Sequence, residues 1–386
     1  MYNTLLISSS NWDSLKELPA ILKKSNCQVD IFSAGNSWVL HNGYYDNWIE
    51  APADITAFIE HLLDFLKANF HNYWWIIPGD DITLRILNDR ITDEALFYKV
   101  MPLTKIENRA LLGSKAGLAE LCTKYSIKSP KQLVYNDNLS NSQISNYLGF
   151  PLMVKVDESE GGYGVFKCNN EQDLERRLAE ITHKKNLVFQ QVIIGEDINT
   201  EALYKNGSLV VYNYSLSTKT IGNFGISTRR VFIHNDDLDD TLKNIGKDLG
   251  LNGFGNIVFM RESNTGEYYL IEIDMRPNSW MYYGKFTGND FIQGIKNIMQ
   301  DKFDLIKPPI NIKNKEQIIG IYKKDVYRCI TTKDFNGLFY WLLNKNGSWR
   351  YIPLHDKVLF RKVNKFLLDT LSMYIGNLFR RKKKWA

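Results

Sequence analysis

Tyr268 to Trp280 read YYLIEIDMRPNSW, and the first seven residues have the period of a strand. Tyr268, Leu270, Glu272 and Asp274 fall on one face, Tyr269, Ile271 and Ile273 on the other. Two carboxylates two residues apart on one strand face lie about 7 Å apart along the backbone. In a half-buried site they repel unless a cation holds them, and Mg2+, a hard ion that takes oxygen ligands, is the candidate. Arg276 and Asn278 follow with a cationic fork and an amide where an anion could lie. A strand with a wet acidic edge is the competing reading, so the rest of the chain has to decide.

Working upstream, Gly253 to Met260 is the preceding strand, joined to this one by the turn Asn264-Thr265-Gly266, and Leu238 to Leu249 reads as a helix. Thr218 to Arg230, TKTIGNFGISTRR, reads as a flexible loop ending in paired arginines. Ile198 to Leu203 and Leu209 to Ser215 are strand-rich, and Leu187 to Ile194, LVFQQVII, is a strand followed by Gly195-Glu196-Asp197. Phe150 to Val156 is an apolar strand interrupted by Lys155, a costly residue there unless an anion meets it. Ser159-Glu160-Gly161-Gly162-Tyr163-Gly164 comes directly after. Its three glycines let the backbone approach a ligand and aim amides at phosphate oxygens, although an ordinary turn would look the same. Asn108 to Tyr125 reads as a helix with Lys115 near its start.

The first hundred residues alternate strand and helix patterns. Asn3–Ser9 is a strand, Trp12–Ser25 a helix, Gln28–Phe32 a strand, Asp54–Phe70 a helix, and Tyr73–Ile77 a strand stopped by Pro78-Gly79. That order implies a parallel sheet covered by helices. The dinucleotide fingerprint G-x-G-x-x-G is absent, so no nicotinamide site is read here.

Composition sets outer bounds. The 386 residues suffice for two or three domains, and 44% hydrophobic with 24% charged residues is ordinary for a globular chain. Cys27, Cys122, Cys168 and Cys329 form no close pairs, which argues against a zinc site or disulfide scaffold and suits a reducing, cytoplasmic setting. The start, MYNTLLISSSNWD, lacks the basic and apolar regions of a signal peptide. Net charge is +5, but residues 360–386 carry eight Lys/Arg against Asp369, a net +7, which leaves the rest at −2. A nucleic-acid-binding body is not expected.

Lys115, Lys155 with SEGGYG, QQVIIGED and the acidic strand with Arg276 stand in the order and spacing of the ATP-grasp superfamily. The chain resembles its carbamoyl-phosphate-synthase-like members over roughly residues 105–305 and, more distantly, D-alanine–D-alanine ligase and biotin carboxylase. The resemblance implies an α/β fold, α+β in the nucleotide-binding part. Residues 1–108 would be a Rossmann-like companion domain, 109–189 and 190–310 the two ATP-grasp lobes, and 311–386 a C-terminal extension. It implies that Lys115 and Lys155 hold ATP phosphates under the amides of Gly161, Gly162 and Gly164. Gln190, Gln191, Val192 and Ile193 would form the hinge that reads adenine, and Asp197 would bond the ribose. Glu272 and Asp274 would bind Mg2+, with Mn2+ as an alternative, and Arg276 would steady the transferred phosphoryl. Arg229 and Arg230 are candidates for binding the carboxylate or acyl phosphate, against a solvated pair.

Two departures stand out. Asp274 occupies a position where the family usually has Asn, and Val258 one where it commonly has an acid or amide ligand. Either one metal site is weakened, or Asn256 or a loop residue compensates, or catalysis is lost. The implied chemistry is ligation of small carboxylate and amine substrates; a nucleotide sensor or a kinase acting on a hydroxyl are the alternatives. Oligomeric state is left open. In the extension, Phe335–Leu343 and Trp349–Ile352 are aromatic-rich and unassigned. Val363–Phe379 gives a helical apolar stripe ending in Arg380-Arg381-Lys382-Lys383-Lys384-Trp385. Peripheral contact of residues 360–386 with an anionic membrane and a helix docked on the body with a solvated tail both fit.

Overall fold

The structure is a computed structural model that describes residues 2–9, 11–159, 161–222, 225–308 and 315–382, with side chains of the last helix through Tyr374. Glu160, Asn223, Phe224, the boundary at 310, the stripe residues Ile375 and Leu378, and the basic run from Arg380 therefore lie outside the described side chains.

The first unit contains β1 (Tyr2–Ser8), α1 (Leu18–Lys24), β2 (Cys27–Ser33), β3 (Asn47–Glu50), α2 (Ile55–Asn69), β4 (Trp75–Pro78), α3 (Asp81–Arg90) and α4 (Glu94–Val100). Its four strands form a parallel sheet in the order β3-β2-β1-β4. Leu5, Leu6 and Ile7 are fully buried, as strands covered on both faces require. The helix expected over 12–25 is shorter. Pro19 fits only the first turn of a helix, so α1 starts at Leu18 and residues 13–15 form a separate 3-10 turn.

Next come α5 (Lys115–Lys124), β5 (Gln132–Val134), α6 (Asn141–Leu148), β6 (Leu152–Lys155), β7 (Val165–Cys168), α7 (Glu171–Glu180) and β8 (Val188–Gln191). The strands make a small antiparallel sheet, β5-β8-β6-β7. The helix expected from Asn108 is split, because Gly113 sits at φ +74° and Ser114 then caps a new helix, accepting from the Gly117 amide. Lys115 becomes the first helical residue.

A seven-stranded sheet follows, built from β9 (Gly195–Lys205), β10 (Ser208–Tyr212), β11 (Ser215–Thr220), β12 (Ser227–Phe232), β13 (Gly253–Glu262), β14 (Tyr268–Asp274) and β15 (Gln317–Gly320). Its order is β14-β13-β9-β11-β12-β15, with β10 also on β9. Helices α8 (Asp239–Leu249) and α9 (Phe291–Met299) pack beside it. The loop expected over 218–230 is instead the hairpin β11–β12. On a strand, successive side chains point to opposite faces, so Arg229 and Arg230 cannot act as a pair.

The register of β14 also departs from strict alternation. Asn256 pairs with Asp274 and Val258 with Glu272, but Phe259 pairs with Leu270, so the ladder bulges at Ile271. Leu270 and Phe259 face the core, both about 1% exposed, while Glu272 and Asp274 stay on the other face. Bulges of this kind re-aim side chains beside functional sites.

After β15 the chain forms α10 (Tyr322–Thr332), α11 (Phe335–Leu342) and α12 (Lys357–Lys382). The C-terminal segment is tied to the body: β15 extends the large sheet, and α12 buries Leu359, Val363 and Leu367 against Trp38, Tyr322, Val326 and Tyr327. Each such aliphatic side chain stabilises the docking by roughly 1.5–3 kcal/mol. No described helix is long and apolar enough to cross a membrane.

Candidate active site

A cavity of about 620 Å³ opens between the small sheet and the large one, within the range of small-molecule sites. Lys115, Lys155, Gly161, Gly162, Gln190, Gln191, Val192, Ile193, Asp197, Glu272, Asp274, Arg276 and Arg230 all line it. Elements far apart in sequence thus bring nearly every candidate to one place. Gly164 does not line it. Its carbonyl accepts from the Val156 amide at 2.8 Å, and a Cβ there would meet Ser159 Oγ at 2.8 Å, so this glycine closes the turn. Gly161 and Gly162, at φ +61° and +84°, are the two that present backbone to the cavity.

Lys155 closes β6 beside Glu272 and Lys115. Burial pushes its ammonium down to about 8, with Glu272 pulling upward and Lys115 downward. Lys115 Nζ donates to the carbonyls of Asp157 (2.9 Å) and Ser159 (2.7 Å), which fastens the strand end that precedes the glycine turn. Asp157 in turn accepts from the Ala116 amide at 2.9 Å and from Ser114 Oγ, completing the cap of α5. Gln190 is held by Gln132 at 3.1 Å, while Val192 and Ile193 follow the end of β8 along the cavity wall. Asp197 accepts from Asn199 at 3.1 Å.

On the large sheet, burial and the neighbouring Glu272 push the Asp274 carboxyl up to about 8, against the pull of Arg276. Arg276 Nε donates to Asp81 Oδ2 at 2.5 Å, its terminal nitrogen reaches Asp274 at 3.2 Å, and its plane lies 4.6 Å from the Trp12 ring. Asp81, at the start of α3, and Trp12 were not anticipated. The available signal was Gly79-Asp80-Asp81 at the carboxyl end of β4, where open α/β sheets place their ligands.

Val258 stands across from Glu272 and is buried, so that position offers no oxygen. Asn256 lies across from Asp274, lines the cavity, and its buried Oδ1 has no hydrogen-bond partner among the described residues. Among the described residues no three His, Cys, Asp or Glu side chains cluster as a metal centre. The donor set here is two carboxylates and one unpaired amide oxygen, which fits a hard divalent cation completed by ligand oxygens or water.

Arg230 lines the cavity with its donors already engaged. It donates to Glu201 (2.7 Å), Ser227 (2.7 Å) and Asn199 (2.9 Å), and lies over Trp280 at 4.4 Å. Arg229 does not line the cavity; it pairs with Asp325 and stacks on Tyr340.

Residues 113–211 match the family described as a RimK-like ATP-grasp domain. The chain carries an ATP-grasp domain. The expectation drawn from the lysines, glycine turn and acidic strand is met at the level of fold and family. The ATP-grasp match is joined by similarity to curated proteins. The D-aspartate ligase of Enterococcus faecium (strain Aus0004) is 22% identical over 257 residues, 60% of this chain and 61% of that protein. The carbamoyl-phosphate synthase of Methanobrevibacter smithii is 22% identical over 204 residues, 50% of this chain and 54% of that protein. The chain thus spans about half to three-fifths of the curated relatives it matches.

Among solved structures, N5-carboxyaminoimidazole synthetase from Staphylococcus aureus, complexed with ADP, superposes with a TM-score of 0.61 at 15% identity, covering 87% of this chain and 86% of that one. The L-amino acid ligase from Bacillus licheniformis gives 0.54 at 15% identity, over 81% and 76%. At these identities the ATP-grasp likeness speaks for the fold.

Proposed function

We propose that the chain is an ATP-dependent ligase that joins a small carboxylate to an amine through an acyl phosphate, with release of ADP and phosphate. The observation that carries this reading is the convergence of Lys115, Lys155, Glu272, Asp274 and Arg276 on one cavity. Lys115 and Lys155 would meet the phosphates from the small sheet, with the Gly161 and Gly162 amides above them. The backbone of Val192 and Ile193 would read the adenine edge and Asp197 the ribose. Glu272, Asp274 and Asn256 would hold Mg2+, and the same oxygens would accept Mn2+. The ion would neutralise charge on the phosphates.

A carboxylate oxygen then attacks the terminal phosphorus while the bond to ADP breaks. The amine nitrogen next attacks the acyl carbon, loses a proton and expels phosphate. Positioning by Arg276 and the two lysines does most of the work, and no protein nucleophile is required. The names of the D-aspartate ligase and the L-amino acid ligase favour ligation over transfer to a hydroxyl.

The deciding experiment incubates the protein with ATP, Mg2+ and pooled amino acids and small carboxylates, and follows ADP and new masses. ADP release that needs both an acid and an amine supports ligation, and release with a hydroxyl compound alone supports a kinase. Lys155→Ala and Glu272→Gln should each abolish turnover; retained activity in either overturns the site. Buried Val258 favours a second reading, a nucleotide-binding protein without ligation, whose signature is ATP binding with no turnover in any pool.

For the C-terminal segment the reading is contact with an anionic lipid surface. Ten large apolar side chains are exposed between Phe335 and Met373, among them Phe335, Phe339, Leu342 and Trp349. In residues 333–373 seven Lys/Arg face three Asp. Exposed apolar side chains in a segment with a cationic excess suit such a surface. Replacing Phe335, Phe339 and Leu342 with Ser should abolish sedimentation with phosphatidylserine vesicles; unchanged sedimentation overturns the reading.

A further inference from the structure

Three lysines gather around one carboxylate at the edge of the cavity. Lys323 Nζ is 2.9 Å from Asp13 Oδ2, and Lys324 Nζ is 3.4 Å from Oδ1. Lys16 Nζ donates to the main-chain oxygen of Asp13 at 3.2 Å. Asp13, Lys16 and Lys324 are all buried. Three ammoniums sharing one carboxylate leave a positive surplus where water cannot screen it, an arrangement that is costly unless an anion completes it. Burial pushes Lys324 down to about 8 against the pull of Asp13.

The three do not face the same way. Lys323 turns toward the rings of Trp38 and Phe366, at 4.3 Å and 4.0 Å. Lys324 instead lines the cavity, its Nζ donating to Ser14 Oγ at 3.2 Å. Ser279 Oγ donates to the Ser14 carbonyl at 3.2 Å, and the adjoining Trp12 carries the Arg276 guanidinium on its ring. Lys324 therefore borders the Arg276 compartment from the side of the first unit and α10, whereas Gln190 to Ile193 come from the small sheet. Helix α10 lies beyond residues 113–211, and none of the roles implied by the ATP-grasp resemblance falls on it.

Resting on the ligase reading, we infer that Lys324, with Ser14 and Trp12, forms a subsite for an oxyanion, carboxylate or phosphate, that does not react. One of the two small substrates thus carries an anionic group besides the carboxyl consumed at Arg276. A compact ammonium with rotatable donors holds either oxyanion. The reacting carboxyl has its own place beside Arg276 and Asp274, and the second group extends past Trp12 to Lys324.

The test titrates the full chain with succinate and, separately, with inorganic phosphate, with and without MgADP, by calorimetry. At least one anion should bind, and the preferred one names the source of the oxyanion. Lys324→Met should weaken it tenfold or more, Lys324→Arg should restore it to within a few-fold, and neither should alter ADP affinity, which also reports folding. Bound anion should slow acetylation of Lys324, read by mass spectrometry. Equal anion binding by wild type and Lys324→Met, or acetylation of Lys324 at the same rate with either anion, overturns the inference. Failure of wild type to bind ADP would fell the ligase reading, while the titrations without ADP still decide the subsite.

Discussion

Asn256 and Asp274 face each other across the β13–β14 ladder, and the Asn256 amide oxygen is buried there with no hydrogen-bond partner among the described residues. Two residues along, Val258 faces Glu272 and supplies only carbon. Both pairs carry a carboxylate, but their partners differ: Val258 only closes the wall, and Asn256 offers the missing oxygen. A buried polar atom left unpaired costs roughly 1–3 kcal/mol, which a cation would relieve.

Asn256→Leu should therefore raise the Mg2+ concentration needed for half-maximal stabilisation of the ADP complex by about tenfold or more, given what loss of a supporting oxygen costs a metal site. In the metal-free protein the same change should leave stability unchanged or raise it. Thermal denaturation across a Mg2+ series measures both. An unchanged Mg2+ midpoint would remove Asn256 from the donor set.

Lys155 gives the site a pH dependence. Its ammonium titrates at about 8, so phosphate binding has its full cation below that pH and loses it above. ADP affinity should fall as pH rises through 8, and Lys155→Arg should flatten the fall, because a guanidinium stays charged. The stability of the ligand-free protein has the opposite sign. Unfolded lysine titrates near 10.5, so between about 8 and 10.5 the unfolded chain binds more protons and stability rises with pH. Lys285 and Lys324, also pushed to about 8, add in the same sense, so the difference between wild type and Lys155→Met isolates this group.

The acidic pair was legible in sequence because a strand, a Gly turn and a second strand leave few ways to place Glu272 and Asp274. The bulge at Ile271 was not legible. It depends on how Phe259 and Leu270 meet in the core, and strict alternation put Leu270 on the carboxylate face. Lys155 and the glycine turn stood out for a local reason, a charge in an apolar strand followed by backbone freedom. The reading of Arg229 and Arg230 as a pair on a loop misled for a local reason too. Gly222 and Gly225 made a hairpin resemble a loop, and only the paired strands separate the two side chains. Asp81, Trp12 and Lys324 reach the cavity from segments distant in the chain, and no local pattern records that approach.

Asp325 anchors a network outside the cavity. It is fully buried and accepts from Thr228, Arg229, Arg328 and Trp341. Asp325→Ala strands the Arg229 guanidinium and leaves Arg328 with Asp334 alone, and should cost about 3–5 kcal/mol by urea denaturation. Glu60→Ala, which breaks the exposed 2.6 Å pair with Arg90, should cost under about 1 kcal/mol. Similar losses for the two would mean that burial does not set the strength of these pairs.

Asp81 reaches from the first residue of α3 to Arg276 Nε, joining the parallel sheet's unit to the strand that bears Glu272 and Asp274. With Asp81→Asn the guanidinium loses its charged partner on one side and leans on Asp274 alone. Arg276 would then sit off the line of the transferred phosphoryl while the lysines and the Val192–Ile193 backbone remain in place. Turnover should fall tenfold or more, about 1.4 kcal/mol of barrier, with ADP affinity within twofold of wild type. Arg276→Lys should not rescue, since a point charge cannot bond both carboxylates as the fork does. Steady-state turnover beside ADP calorimetry separates the cases: a parallel loss of both would make Asp81 a prop for the whole cleft, and loss of turnover alone makes it the residue that aims Arg276.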